Sequence, residues 1–184
     1  MNLREEILRA HSVTQRDKII AWVGSSQSRM DELVKLFLEG EYRVTQRAGW
    51  PLSYIARRNS SLVKKHLPKL IRNLATPDLH NAVIRNTIRL LQDVPIPATQ
   101  HGKVMDICFR YVEDPQQPVA IKAFALTVVT KLAGSYPEII PEIRLMIEEQ
   151  LPHQTAAFKS RAKRSVKLFD KIEKRKSEEE GKDS

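Results

Sequence analysis

The segments Ala82-Val83-Ile84-Arg85-Asn86-Thr87-Ile88-Arg89-Leu90-Leu91-Gln92-Asp93-Val94 and Ala120-Ile121-Lys122-Ala123-Phe124-Ala125-Leu126-Thr127-Val128-Val129-Thr130-Lys131-Leu132 lie 38 residues apart and carry one apolar pattern. Ala82, Val83, Ile88, Leu90, Leu91 and Val94 fall on Ala120, Ile121, Leu126, Val128, Val129 and Leu132. The spacing is helical, without the sustained alternation of a half-buried strand. The same offset carries Leu67, Leu70, Ile71, Leu74 and Pro77 onto Met105, Cys108, Phe109, Val112 and Pro115, and then Met105, Cys108 and Phe109 onto Ile143, Met146 and Ile147. Two helices that recur as a pair can bury their apolar stripes only against neighbouring pairs. The expected fold is therefore all-α, an α-solenoid of antiparallel helix pairs.

Outward from this core, breakers punctuate the chain: Gly24-Ser25-Ser26, Gly40, Asn59-Ser60-Ser61, Thr76-Pro77, Pro95-Ile96-Pro97, Asp114 to Pro118, Gly134 to Pro137, and Pro152. Ser12 with Gln15 reads as a capping box, and Thr76-Pro77 as a cap before a first-turn proline. Pairs are expected at 13–39, 41–75, 78–113 and 117–151, after a leading helix near 2–10 and before a closing helix near 155–174. Pro51 should kink its helix or begin a new segment there. Residues 1–174 form the repeat domain in this reading. Residues 175–184 form a charged tail with nothing apolar to bury, which is expected to be disordered.

Composition narrows the function classes. The lone Cys108 cannot form an internal disulfide, and no Cys/His set has zinc spacing, so metal-driven folding is not expected. No apolar stretch approaches about 18 residues, and Met1 to Glu6 has no signal-peptide character. The protein is read as cytoplasmic, without membrane partners. The net charge of +9 is concentrated in two blocks. Residues 41–74 hold Arg43, Arg47, Arg57, Arg58, Lys64, Lys65, Lys69 and Arg72 against Glu41 alone, and residues 156–176 hold nine basic groups against Asp170 and Glu173.

The stretches Gln46-Arg47-Ala48-Gly49-Trp50-Pro51-Leu52, Ile107-Cys108-Phe109-Arg110-Tyr111, Pro118-Val119-Ala120-Ile121-Lys122-Ala123-Phe124-Ala125 and Phe158-Lys159-Ser160-Arg161-Ala162-Lys163-Arg164 resemble a group of small bacterial HEAT-like, armadillo-like repeat proteins of uncharacterised function. The resemblance spans roughly residues 11–170. It implies a HEAT-like solenoid with a closing C-terminal helix, and almost nothing about activity. Such chains are sometimes labelled adenylosuccinate lyase. That superfamily's catalytic loop runs Gly-Ser-Ser-x-Met-Pro-x-Lys-x-Asn, whereas Gly24-Ser25-Ser26 is followed here by Gln27-Ser28-Arg29-Met30-Asp31-Glu32. The Met is displaced and the Pro, Lys and Asn are missing, so the label is rejected.

No nucleophile elbow, phosphate loop or cofactor motif is present, and the chain is read as a non-enzyme. His11, His66, His80, His101 and His153 are read as structural or solvent-facing, Cys108 as a small buried hydrophobe, and Trp22 and Trp50 as gap-fillers of the core. The candidate partner-binding residues are basic. Lys65, Lys69 and Arg72 occupy one face of a second helix at i, i+4 and i+7, and the offset carries Lys65 to Lys103 and Arg72 to Arg110. In solenoids of this kind second helices line the concave side, so these five form a ladder facing one groove. On the closing helix Lys159, Lys163, Lys167 and Lys171 recur every fourth residue. A solvated face that maintains solubility and a binding surface both fit these residues. The leading functional reading is a non-catalytic binding or scaffold module for an acidic protein or peptide. The alternative is sequence-indifferent duplex DNA binding, since some HEAT-like proteins grip phosphates and a subset are alkylpurine glycosylases. For a glycosylase only Asp78 and Asp106 are nearby carboxylates, and both read as ordinary acids near helix starts.

Overall fold

The computed structural model describes residues 1–180, which form two compact units, Met1–Gln100 and a second from His101 onward. All regular structure among the described residues is helical.

The first unit contains α1 (Leu3–Arg9), α2 (Val13–Val23), α3 (Gln27–Glu39), α4 (Tyr42–Arg58), α5 (Ser61–Lys64), α6 (Leu67–Asn73) and α7 (Asn81–Asp93). Helix α4 lies at its centre, packed on α1, α2, α3 and α7. Its buried face mixes Val44, Leu52 and Ile55 with the small residues Ala48, Gly49, Ser53 and Ala56. The small side chains let α7 come close: a Cβ at Gly49 would lie 2.4 Å from Asn86 Nδ2 and 2.8 Å from Asn86 Cβ. Asn86 is itself fixed by donating to the Ala82 carbonyl at 2.9 Å.

Pro51 does not start a new segment; the helix is continuous from Tyr42 to Arg58, with the proline inside it. Proline removes a single intrahelical bond, and packing from the neighbouring helices supports the rest of α4. The proline that does interrupt a helix is Pro68. Lacking a donor for the Lys64 carbonyl, it divides the second helix of this pair into α5 and α6, leaving Lys65 and His66 between them. Ser12 accepts the Gln15 amide at 3.1 Å as expected, but the Gln15 side chain donates to the carbonyl and carboxylate of Glu6, both at 2.7 Å, rather than closing the box. Thr76-Pro77 is not a helix start. Helix α7 begins after His80, whose Nδ1 accepts the Ala82 amide at 3.0 Å. Gly24-Ser25-Ser26 is a turn: Gly24, at φ +52°, ends α2 and the Ser26 hydroxyl caps α3.

The second unit contains α8 (His101–Glu113), α9 (Val119–Leu132), α10 (Ile140–Gln150) and α11 (Ala156–Glu180). Helix α9 packs against α8, α10 and α11 and is apolar around most of its circumference for that reason. Lys122 is nevertheless buried, its Nζ donating to Gln150 Oε1 at 3.1 Å, and burial lowers its pKa. Phe158, Ala162, Ser165 and Phe169 of α11 form its packed face. The closing helix runs through Glu180, six residues past the expected boundary at 174, and the remainder of the expected tail lies outside the described residues.

The repeat register is visible in burial. Leu70, Cys108 and Met146 are 0%, 0% and 4% exposed. Several hydrogen bonds join residues 34 or 35 positions apart. In the first unit Gln27 bonds the Leu62 carbonyl, and Asp31 bonds Lys65 and His66. In the second, His101 bonds Tyr136, Arg161 bonds Thr127, and Ser165 bonds Thr130.

Candidate functional site

The five expected ladder residues divide between the units, with Lys65, Lys69 and Arg72 in the first and Lys103 and Arg110 in the second. In the first unit Lys65 is not on the same helix as Lys69 and Arg72, because Pro68 has ended α5 before it. Its Nζ donates to Asp31 Oδ2 at 2.7 Å, while His66 Nε2 and Gln27 Nε2 meet Asp31 Oδ1 at 2.7 and 2.9 Å. Lys65 foremost, then Gln27 and His66, hold the Asp31 carboxyl down to about 2. Lys69 donates to Glu39 at 2.7 Å and lowers that carboxyl in turn. Arg72 is exposed and has no ion pair among the described residues. In the second unit Arg110 pairs with Asp106 at 2.9 Å, one helical turn away, whereas Lys103 is exposed and unpaired among the described residues. Three of the five cations thus already hold carboxylates of this chain.

Helix α11 is different. Arg144 of α10 donates to Asp170 at 2.7 Å and to Glu173 at 2.8 Å, its own pKa raised by both. This removes the two acids within the basic block, and Lys159, Lys163, Lys167 and Lys171 stand exposed with no acidic partner among the described residues. Between α9 and α11 lies a cleft of about 170 Å³ lined by Thr127, Thr130, Arg161, Arg164, Ser165 and Leu168. Its polar groups are largely occupied internally: Arg161 donates to Thr127 Oγ1 at 2.6 Å and covers the Phe124 ring, and Thr130 and Ser165 share a 2.7 Å hydrogen bond.

Sequence reasoning missed the aromatic cluster of the first unit. Trp22 and Trp50 are half-buried rather than core. Arg29 covers Trp22 at 5.0 Å, and the Arg16 guanidinium lies 4.9 Å from Trp50 and 4.2 Å from Tyr54, with the His11 ring 5.1 Å from Trp50. These are satisfied cation–π contacts. Three further histidines have structural partners: His66 binds Asp31, His80 caps α7 and His101 meets the Tyr136 hydroxyl at 3.1 Å. Cys108 is buried, and burial pushes its thiol pKa up. Asp78 adopts a left-handed φ of +53° in the turn before α7, and Asp106 sits within α8 on Arg110. The two lie in different units. No cluster of three or more His, Cys, Asp or Glu among the described residues could hold a metal, and no described helix is long and apolar enough to cross a membrane.

No curated protein and no solved structure matches the sequence. The family model described as HEAT repeat domain matches residues 3–168, nearly the whole of the helical array. HEAT repeats generally mediate protein–protein interaction or scaffolding. On this match, and on the helix pairs that account for it, the chain belongs to the HEAT repeat domain family.

Proposed function

We propose that the protein is a non-catalytic binding module that holds an acidic protein or peptide through cations on its second helices. The observation that carries this reading is the edge formed by Lys69 and Arg72 on α6. Lys69 already receives a carboxylate, that of Glu39, at 2.7 Å, and Arg72 follows within one turn, exposed and unpaired among the described residues. The Lys69–Glu39 pair has side-chain exposures of 58% and 49%. Exposed pairs of this kind are worth about 0–1 kcal/mol, so a partner's acid can replace Glu39 at little cost. Lys65 is less available, because Asp31 is shared among three donors. Lys103 supplies a cation on the second unit that is unpaired among the described residues, and Arg110 one already held by Asp106. Family membership supports a protein partner.

The test is fluorescence anisotropy of a labelled Glu-rich peptide. Replacing Lys69 and Arg72 together by Glu should reduce its affinity at least about tenfold, since two favourable pairings become repulsive. The melting temperature should hardly change. Affinity that survives this double replacement refutes the assignment of α6, and the same experiment with Lys103→Glu measures the second unit separately.

A further inference from the structure

We propose that the outer face of α11 binds the phosphate backbone of duplex nucleic acid without reading its sequence. At about 100° per residue, Lys159, Lys163, Arg164, Lys167, Lys171, Lys174 and Arg175 fall within a sector about 160° wide, opposite Phe158, Ala162, Ser165 and Phe169. All seven are exposed. Among the described residues Lys174 alone of the seven has an acid within ion-pair distance, Glu178 at 3.8 Å. Asp170 and Glu173, the other acids along this length, are turned to Arg144. Arg164 donates to the Ser160 carbonyl at 3.4 Å and has no acidic partner among the described residues. From Lys159 to Arg175 the face is about 24 Å long, the length of about seven phosphates along one strand.

The chemistry of the face selects among acidic partners. A bilayer-binding amphipathic helix must insert its apolar side, but Phe158, Ala162 and Phe169 are buried in the unit. Protein interfaces centre on aromatic or apolar anchors and are depleted in lysine, whereas this sector has no aromatic residue and is mostly lysine. The lack of an aromatic platform likewise disfavours single strands, which bind by stacking. Repeated point charges without anchors suit an evenly charged polyphosphate, and lysine contacts to phosphate position a duplex while reading no bases. This face is separate from the α6 edge assigned to acidic peptides, and either assignment can fail alone.

The experiment is fluorescence anisotropy with a labelled random-sequence duplex DNA, between about 50 and 200 mM salt. The native chain should bind with a log affinity against log salt slope of about −3.6 or steeper, four lysine contacts contributing about −0.9 each. Replacing Lys159, Lys163, Lys167 and Lys171 by Gln, which preserves helix propensity, should remove about 3.6 from the slope and weaken binding at least about tenfold at the low-salt end. A control with the same charge removed from exposed positions of the first unit, Arg43, Arg57, Arg58 and Arg85 to Gln, should keep the native slope. Three results overturn the proposal: a native slope near zero, equal losses in both variants, or a Glu-rich peptide or phosphatidylserine vesicle that competes for α11 as well as the duplex does. Lys163→Gln with Lys167→Gln repeats the comparison should the fourfold variant melt early.

Discussion

A side chain at Gly49 of α4 would collide with Asn86 of α7, and Gly49→Ala tests that packing directly. At an open helical position the change should stabilise the protein, since alanine is favoured over glycine by about 1 kcal/mol. At Gly49 the new Cβ would stand 2.4, 2.6 and 2.8 Å from Asn86 Nδ2, Cγ and Cβ. The first two atoms could rotate away, at the cost of the Asn86 hydrogen bond to Ala82, worth about 1 kcal/mol. Cβ cannot rotate away, so α7 itself must shift, and overpacking of that kind costs about 1–3 kcal/mol. The net expectation is destabilisation by about 1–3 kcal/mol, or a fall in melting temperature of about 2–4 °C per kcal/mol for a chain of this length. Urea and thermal melts followed by far-UV circular dichroism measure both. Gly102→Ala is the internal control, since a Cβ there meets nothing within 4 Å and should be neutral or stabilising. In an Asn86→Ala background the cost at Gly49 should shrink by about 0.5 kcal/mol or more. If Gly49→Ala stabilises as much as Gly102→Ala, the close approach of α4 and α7 is wrong.

Leu70→Ala should cost about 2–5 kcal/mol in urea denaturation, because Leu70 is fully buried and leaves a cavity; a cost below about 1 kcal/mol would place it outside the core. Asp31 titrates at about 2 in the folded chain against an ordinary 3.8, so its pairing stabilises the protein above pH 3.8 and the contribution is lost as pH falls to about 2. The gap in melting temperature between native protein and Asp31→Asn should therefore close over that range, and a gap independent of pH would mean the pairing is absent in solution. Cys108, buried and with its thiol pKa raised, should resist iodoacetamide until the chain is unfolded; rapid alkylation of the native protein contradicts its burial.

Helix type and repeat register were legible in the sequence, because apolar periodicity records the packing that neighbouring repeats impose. Leu70, Cys108 and Met146 are buried where the 38-residue offset puts them. Pro68 carried a readable signal for the break between α5 and α6, and the helical spacing of Lys65, Lys69 and Arg72 obscured it. Pro51 raised the same signal, yet α4 continues through it with the neighbouring helices packed around it. Charge was the least legible property. Whether a lysine is free depends on acids more than thirty residues away, as Asp31 is from Lys65, or on a neighbouring helix, as Asp170 and Glu173 are relative to Arg144. No local pattern encodes that pairing, so the expected ladder is largely neutralised while the closing helix keeps its charge. His80 was missed as a cap because histidine is not among the usual N-cap residues.

The hydrogen bonds that join residues 34 or 35 positions apart bear on how the chain comes to fold. None of these links waits for a distant terminus: each closes once about one further repeat has been made. At a synthesis rate of about 5–20 residues per second, about 35 residues take roughly 2–7 s to emerge. Helix formation takes about a microsecond or less and loop closure less still. Gln27 can thus find the Leu62 carbonyl, and later Thr130 the Ser165 hydroxyl, long before the next repeat leaves the ribosome. Folding should keep pace with translation, each repeat using the preceding one as its template.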